Sequence, residues 1–221
     1  MSPDILALIL QATGQTLYMV AAAALLGTAI GLPLGTFLAT SGRGELFQAV
    51  ALNRVLGLVV NATRSTPFII LVVAIIPFTR AVAGTSIGTT AAIVPLTVAA
   101  APFIARIIEA AIREVDPGLI EASKAMGATP FQIVVKVLLP EALPAIGLGL
   151  TLTVVSLIGY SAMVGAVGGG GLGDLGIRFG YQRFMPDVMA AVVVVLIVLV
   201  QAVQSLGERL SARVDRRRRA A

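Results

Sequence analysis

The chain has 221 residues, 57% hydrophobic and only 12% charged, with a formal net charge of +5 and no Cys, His or Trp. Soluble domains carry about 25% charged residues, so this composition excludes an ordinary globular or disordered protein and makes the bilayer the expected solvent. Without Cys or His there is no thiol nucleophile, disulfide, usual zinc site or Ser-His-Asp set, and neither a catalytic residue nor a metal ligand is expected.

A charge in hydrocarbon costs roughly 2.5–3.5 kcal/mol on insertion scales, so uncharged stretches delimit the candidate spans. The first lies between Asp4 and Arg43 and is placed at about residues 16–40, behind a polar lead. No Lys or Arg precedes it and its apolar run exceeds a signal-peptide core, so it is expected to be retained. Gly27, Gly31 and Gly35 form two overlapping GxxxG units there, with Pro33 among them, a pattern that admits a close helix neighbour. The second span, about 55–79, must include Arg64, because residues 65–79 alone would cover only ~22 Å of a core near 30 Å. The remaining spans are expected at about 84–108, 142–166 and 187–208.

This is an all-α integral membrane chain with five transmembrane helices in a single domain. An external N-terminus leaves Arg43, Arg54, Arg106, Arg113, Lys124, Lys136, Arg209, Arg213 and Arg216 to Arg219 inside. Only Arg80, Arg178 and Arg183 then lie outside, so the positive-inside rule favours N-out and C-in.

Two patterns resemble enzyme signatures without supporting the chemistry. Gly84-Thr85-Ser86-Ile87-Gly88 fits GxSxG, but no His exists to serve as base, and a turn outside the membrane is expected. The run from Gly168 to Gly173 contains GxGxxG, yet it follows a span rather than a strand, so a tight or flexible turn is expected instead. No GxxxxGK[ST] occurs, so ATP binding is not expected on this chain.

The stretch between the third and fourth spans is the informative one. Arg106, Glu109, Arg113 and Asp116 are spaced 3, 4 and 3 apart, which places them on one helical face running past the membrane surface. Pro117-Gly118 breaks that helix. A short helix through Glu121, Ala122, Ser123, Lys124 and Met126 follows, ended by Gly127, and Thr129-Pro130 opens a second one. Ile120 and Met126 form its apolar side and Glu121 and Lys124 its charged side, a composition suited to a groove on a partner protein.

Glu121-Ala122-Ser123, three residues, Gly127, nine residues, Val137, one residue, Leu139-Pro140 resembles the EAA loop of ABC importer permeases, E-A-A-x3-G-x9-I-x-L-P. Ser123 stands for the third Ala and Val137 for Ile. Further similarity extends from about Arg64 to Gly173. Ser65 to Ile70, Ile76 to Arg80, Ala92 to Thr97, Ala101 to Arg106 and Gly159 to Met163 look like the methionine importer permeases. The resemblance implies a homodimer in the bacterial inner membrane, with two copies of a separate ABC ATPase that binds the ATP, and an extracytoplasmic methionine-binding protein. The cargo is methionine, D or L, moved by alternating access. Residues 117–140 then form the ATPase-coupling region, where Glu121 makes polar contact, Gly127 permits the break, and Pro130 and Pro140, with Leu139, direct the helices.

For the permeation path, Tyr160, Ser161 and Met163 stand in an otherwise apolar helix, Met163 as a flexible plug. Ordinary packing for Met163 and interfacial anchoring for Tyr160 are the alternatives. Arg64 either lines an aqueous path or snorkels to the inner face. The rival functions are a secondary transporter or channel, or an importer permease for another amino acid, but the five expected spans hold no Asp or Glu inside their ends, Asp187 and Glu208 only bounding the fifth. Six Arg in the last fourteen residues read as an anchor to anionic lipid, not a nucleic-acid site.

Overall fold

Long apolar runs become helices, and each cluster of Pro or Gly between them becomes a break. The computed structural model describes residues 3–214, all of whose regular structure is helical. Arg216 to Arg219, the expected lipid anchor, lie outside the described residues.

Helix α1, Pro3–Thr40, is 38 residues long, roughly 57 Å. It begins well before residue 16, because the expected polar lead is itself helical. Pro3 starts the helix, Asp4 complements its dipole, and the apolar run from Ile5 to Leu10 continues it. Its partner is α5, Thr89–Arg113. A Cβ on Gly27 would lie 2.9 Å from the Ala100 Cβ, one on Gly31 would lie 2.8 Å from the Ala101 carbonyl, and one on Gly35 would strike the Ala105 carbonyl. The GxxxG face is thus where the two backbones meet.

The second span departs from a continuous helix over 55–79. Helix α2, Val50–Ser65, does carry Arg64 in its last turn, but it stops there, and α3, Phe68–Ala74, leaves at 106° to it. Pro67 is the cause. It has no N–H and forces Thr66 into an extended conformation, φ −82° and ψ 125°. Thr66 N then donates to the Thr63 carbonyl that Pro67 leaves open, at 3.3 Å. Helix α4, Ile76–Ala83, follows and ends on Gly84 at φ 74°. Gly88, at φ 98°, delays α5 to residue 89, so 84–88 is a turn and the third helix runs 89–113 rather than 84–108.

After α5 come α6, Pro117–Ala125, and α7, Pro130–Ile133. The second surface helix expected after Gly127 is not separate. Helix α7 runs through a π turn at Val134–Leu138 into α8, Leu139–Val164, so that one rod extends from Pro130 to Val164. The π turn directly precedes Pro140, whose missing N–H the widened turn accommodates.

Gly165–Gly169 then turns sharply, with Gly168, Gly170 and Gly171 at φ 90°, 79° and 75°. Helix α9, Gly171–Leu175, begins there, and a π segment, Gly176–Gln182, leads to α10, Pro186–Val214. Side chains of α1 supply the start of α9: Gln15 Oε1 accepts from Gly171 N at 3.0 Å and Thr16 Oγ1 from Leu172 N at 2.9 Å. Among the described residues, four helices are long and apolar enough to cross a membrane, or five when the bent α2–α3 pair is one span.

Candidate functional site

The α6 corner is rigidly built on one side and open on the other. Asp116 caps α6 by accepting from Gly118 N at 2.8 Å. Asp116 therefore leaves the face it was expected to share with Arg106, Glu109 and Arg113, because α5 ends at Arg113. Ser123 is buried and donates to the Leu119 carbonyl at 2.6 Å, while Ile120 packs against the core. Gly127, at φ 80°, closes the helix with its N–H on the Lys124 carbonyl, and Ala128 N donates to the Ser123 carbonyl. Thr129 and Gln132 then form a capping box that starts the long rod, with Pro130 in its first turn.

Glu121, Ala122 and Lys124 are exposed on the open side. Of the apolar side expected of this helix, Ile120 is turned to the core and Met126 is 81% exposed, at the C-cap where the backbone turns into the left-handed Gly127. Phe131 is 70% exposed and Leu119 is also exposed. Large apolar side chains around an exposed Glu and Lys have the makings of a protein-docking surface. Pro140 is exposed and Leu139 half-buried further along the rod, just after the π turn.

Glu109 fixes the end of α5. Its buried carboxylate accepts from Arg106 through Oε2, and Oε1 pairs with Arg113 at 2.8 Å. Arg106 also donates to the Gly57 carbonyl of α2 at 3.1 Å, so the triad joins two helices.

The bend after Arg64 opens a cavity of about 130 Å³ between α2, α3, α5 and α8. Arg64 and Tyr160 both line it. The Arg64 guanidinium lies 5.6 Å from the Phe103 ring centroid, and the Tyr160 ring stacks on Phe68. Ser161 and Met163 do not line it. Ser161 is 2% exposed and donates to the Ile158 carbonyl at 2.7 Å, and Met163 is 47% exposed on another side of α8. The hydroxyls of Thr63, Thr66, Thr153 and Ser156 were overlooked. A signal was present: Thr153, Ser156 and Tyr160 are spaced 3 and 4 apart, which gives an apolar helix one polar stripe.

Residues 31–220 match the family described as binding-protein-dependent transport system inner membrane component. The chain is 59% identical to the probable D-methionine transport system permease protein MetI of Vibrio cholerae, over 95% of this chain and 93% of that one. It is 53% identical to the D-methionine transport system permease protein MetI of Escherichia coli K12, over 75% of this chain and 76% of that one. Among solved structures it is similar to a chain of the inward-facing MetNI methionine ABC transporter. There the TM-score is 0.96 at 50% identity, covering 98% of this chain and 100% of that one.

Proposed function

Because the chain belongs to the family of binding-protein-dependent transport system inner-membrane components, we infer that it is the permease subunit of an ATP-driven methionine importer. The observation that carries this reading is the 59% identity to a D-methionine permease over nearly the full length of both chains. No ATP chemistry is assigned to this chain. Its partners are a second copy of itself, two ABC ATPase subunits, an extracytoplasmic methionine-binding protein and membrane lipid. The N-terminus lies outside and the C-terminus in the cytoplasm, as the Lys/Arg distribution favours.

The geometry supplies a mechanism. Leu119, Glu121, Lys124, Met126 and Phe131 form the surface that seats in the ATPase. The same rod that starts at Pro130 carries Thr153, Ser156 and Tyr160 on the cavity wall. Phe131 and Tyr160 are 29 residues apart, about 44 Å of helix, so a push at the surface is delivered to the cavity by a stiff element. Helix α5 moves with it, since α6 follows α5 after three residues and Ile120 is packed against the core. Two copies place ten spans around a two-fold axis and enclose a path that five cannot. Closure of the ATPase dimer then tilts the rods and alternates access to the path.

Proteoliposomes holding this chain, its ATPase and the binding protein provide the test. Methionine uptake should require all three together with ATP. Uptake that continues without the ATPase or without ATP contradicts the importer reading. Competition by L-methionine, D-methionine and other apolar amino acids defines the cargo and its handedness.

A further inference from the structure

The cavity at the α2–α3 bend has a polarity that its lining residues alone do not convey. Thr63 donates its hydroxyl proton to the Val59 carbonyl at 3.0 Å, Thr66 to Ala62 at 3.1 Å, Thr153 to Gly149 at 2.9 Å and Ser156 to Leu152 at 2.9 Å. Each hydroxyl has one proton, so all four present only lone pairs to an occupant. Arg64 is the opposite. It carries donors and no acceptor, and among the described residues it has no carboxylate partner, only the Phe103 face. The Tyr160 phenol likewise has no hydrogen-bond partner among the described residues. The Phe68–Tyr160 stack, Leu71 and Leu157 supply the apolar part of the lining.

We propose that this cavity is a transit site that binds the cargo as an apolar α-amino acid zwitterion, with the carboxylate on Arg64 and the ammonium on the hydroxyl lone pairs. This rests on the methionine-importer reading above. The aromatic stack and Phe103 take the side chain, where a thioether makes favourable sulfur–aromatic contacts. The acceptors are divided between two helices: Thr63 and the capping residue Thr66 belong with Arg64 at the end of α2, whereas Thr153 and Ser156 are on α8. Movement of the α8 rod against α2 pulls the Thr153 and Ser156 acceptors away from Arg64, so the site loses half of its ammonium acceptors and with them affinity as the transporter cycles. Arg64 lies ten residues beyond Arg54, about 15 Å of helix, which suits a site within the membrane rather than at its edge.

The test uses the complex of this chain with its ATPase in nanodiscs, without the binding protein, so that only the membrane site reports. A radiolabelled diazirine analogue of methionine is photolysed and the labelled peptides mapped. Label is expected on the segments holding Phe68, Phe103 and Tyr160. It should be displaced by methionine but not by 3-(methylthio)propylamine, which lacks the carboxylate. Arg64→Gln should cut labelling tenfold or more, in line with loss of a charge-assisted hydrogen bond, and Arg64→Lys should restore part of it. In the proteoliposomes, Ser156→Ala should raise the KM for uptake several-fold, and an unchanged KM would count against the hydroxyl pole. Label confined to other segments, or equal labelling of wild type and Arg64→Gln, overturns the site. The wild-type map decides the matter even where a variant fails to assemble. Wild-type proteoliposomes that import no methionine overturn the importer reading instead, whereas normal import with label elsewhere overturns only the site.

Discussion

Tyr160 lies flat on Phe68, with ring centroids 4.4 Å apart and 12° between the planes. The first residue of α3, just beyond the break at Pro67, is thereby fastened near the C-terminal end of α8. A broken span needs such a fastening, because Thr66 and Pro67 take no part in a continuous helical ladder that would hold α3 in place.

Tyr160→Ala should therefore cost more than the phenol is worth. Stacked aromatic pairs contribute about 0.5–1.5 kcal/mol beyond the area they bury. Tyr160→Phe keeps the stack and should retain near-wild-type thermal stability in detergent, while Tyr160→Ala should lower it and reduce methionine uptake several-fold. Equal melting temperatures for the two variants would show that the stack does not hold α3.

Much of this architecture was legible in the sequence, and the departures share a cause. Charge-free runs located every long helix, since the cost of a charge in hydrocarbon acts through composition alone. Gly27, Gly31 and Gly35 announced the α1–α5 contact, because only small residues admit a backbone that close. The count of residues needed to span a bilayer, by contrast, points to one helix over 55–79 and takes no account of Pro67, which removes an N–H wherever it stands. Polarity drew attention to Ser161, but its proton is spent on Ile158 within its own helix and its side chain is buried. Which side of α8 meets the bend of α2 is a tertiary fact. Only the 3-and-4 spacing of Thr153, Ser156 and Tyr160 hinted at it.

The glycine face of α1 gives a contrast within one helix. Gly31→Val places a Cβ 2.8 Å from the Ala101 carbonyl, a backbone atom that cannot swing aside. Overpacking of this kind costs about 1–3 kcal/mol or more. Gly14, with no atom within 4 Å of its would-be Cβ, should accept Ala without loss. Thermal unfolding of the two purified variants checks this: a large fall in Tm for Gly31→Val beside an unchanged or raised Tm for Gly14→Ala is expected.

The triad at the end of α5 is unequal in its members. The Glu109 side chain is 9% exposed and that of Arg113 is 55% exposed. Arg113→Ala removes a largely solvated partner, worth about 0–1 kcal/mol. Glu109→Ala leaves Arg106 partly buried without its carboxylate and loosens the tie to Gly57, a change of the class that costs about 3–5 kcal/mol when burial is complete and less here. A fall in stability for Glu109→Ala much greater than for Arg113→Ala, measured by thermal unfolding in the same detergent, is the expected result. A reversed order would place the tie elsewhere.

Gly127 and Phe131 separate backbone from surface at the coupling corner. Gly127 sits at φ 80° with open space where a Cβ would go, so its requirement is conformational and not steric crowding. A left-handed conformation costs a side-chain-bearing residue roughly 1–2 kcal/mol, and Asn less than a β-branched residue. Gly127→Val should therefore distort the corner and impair ATPase assembly or coupling, whereas Gly127→Asn should be milder. Phe131→Ser leaves the backbone alone but removes the most prominent ring beside Glu121 and Lys124. Membrane insertion should be normal in all three variants, with co-purification of the ATPase reduced in Gly127→Val and Phe131→Ser. Normal co-purification and ATP-driven uptake in Phe131→Ser would exclude this face as the seat of the ATPase, because an exposed phenylalanine that contacts no partner can be replaced by serine at little cost.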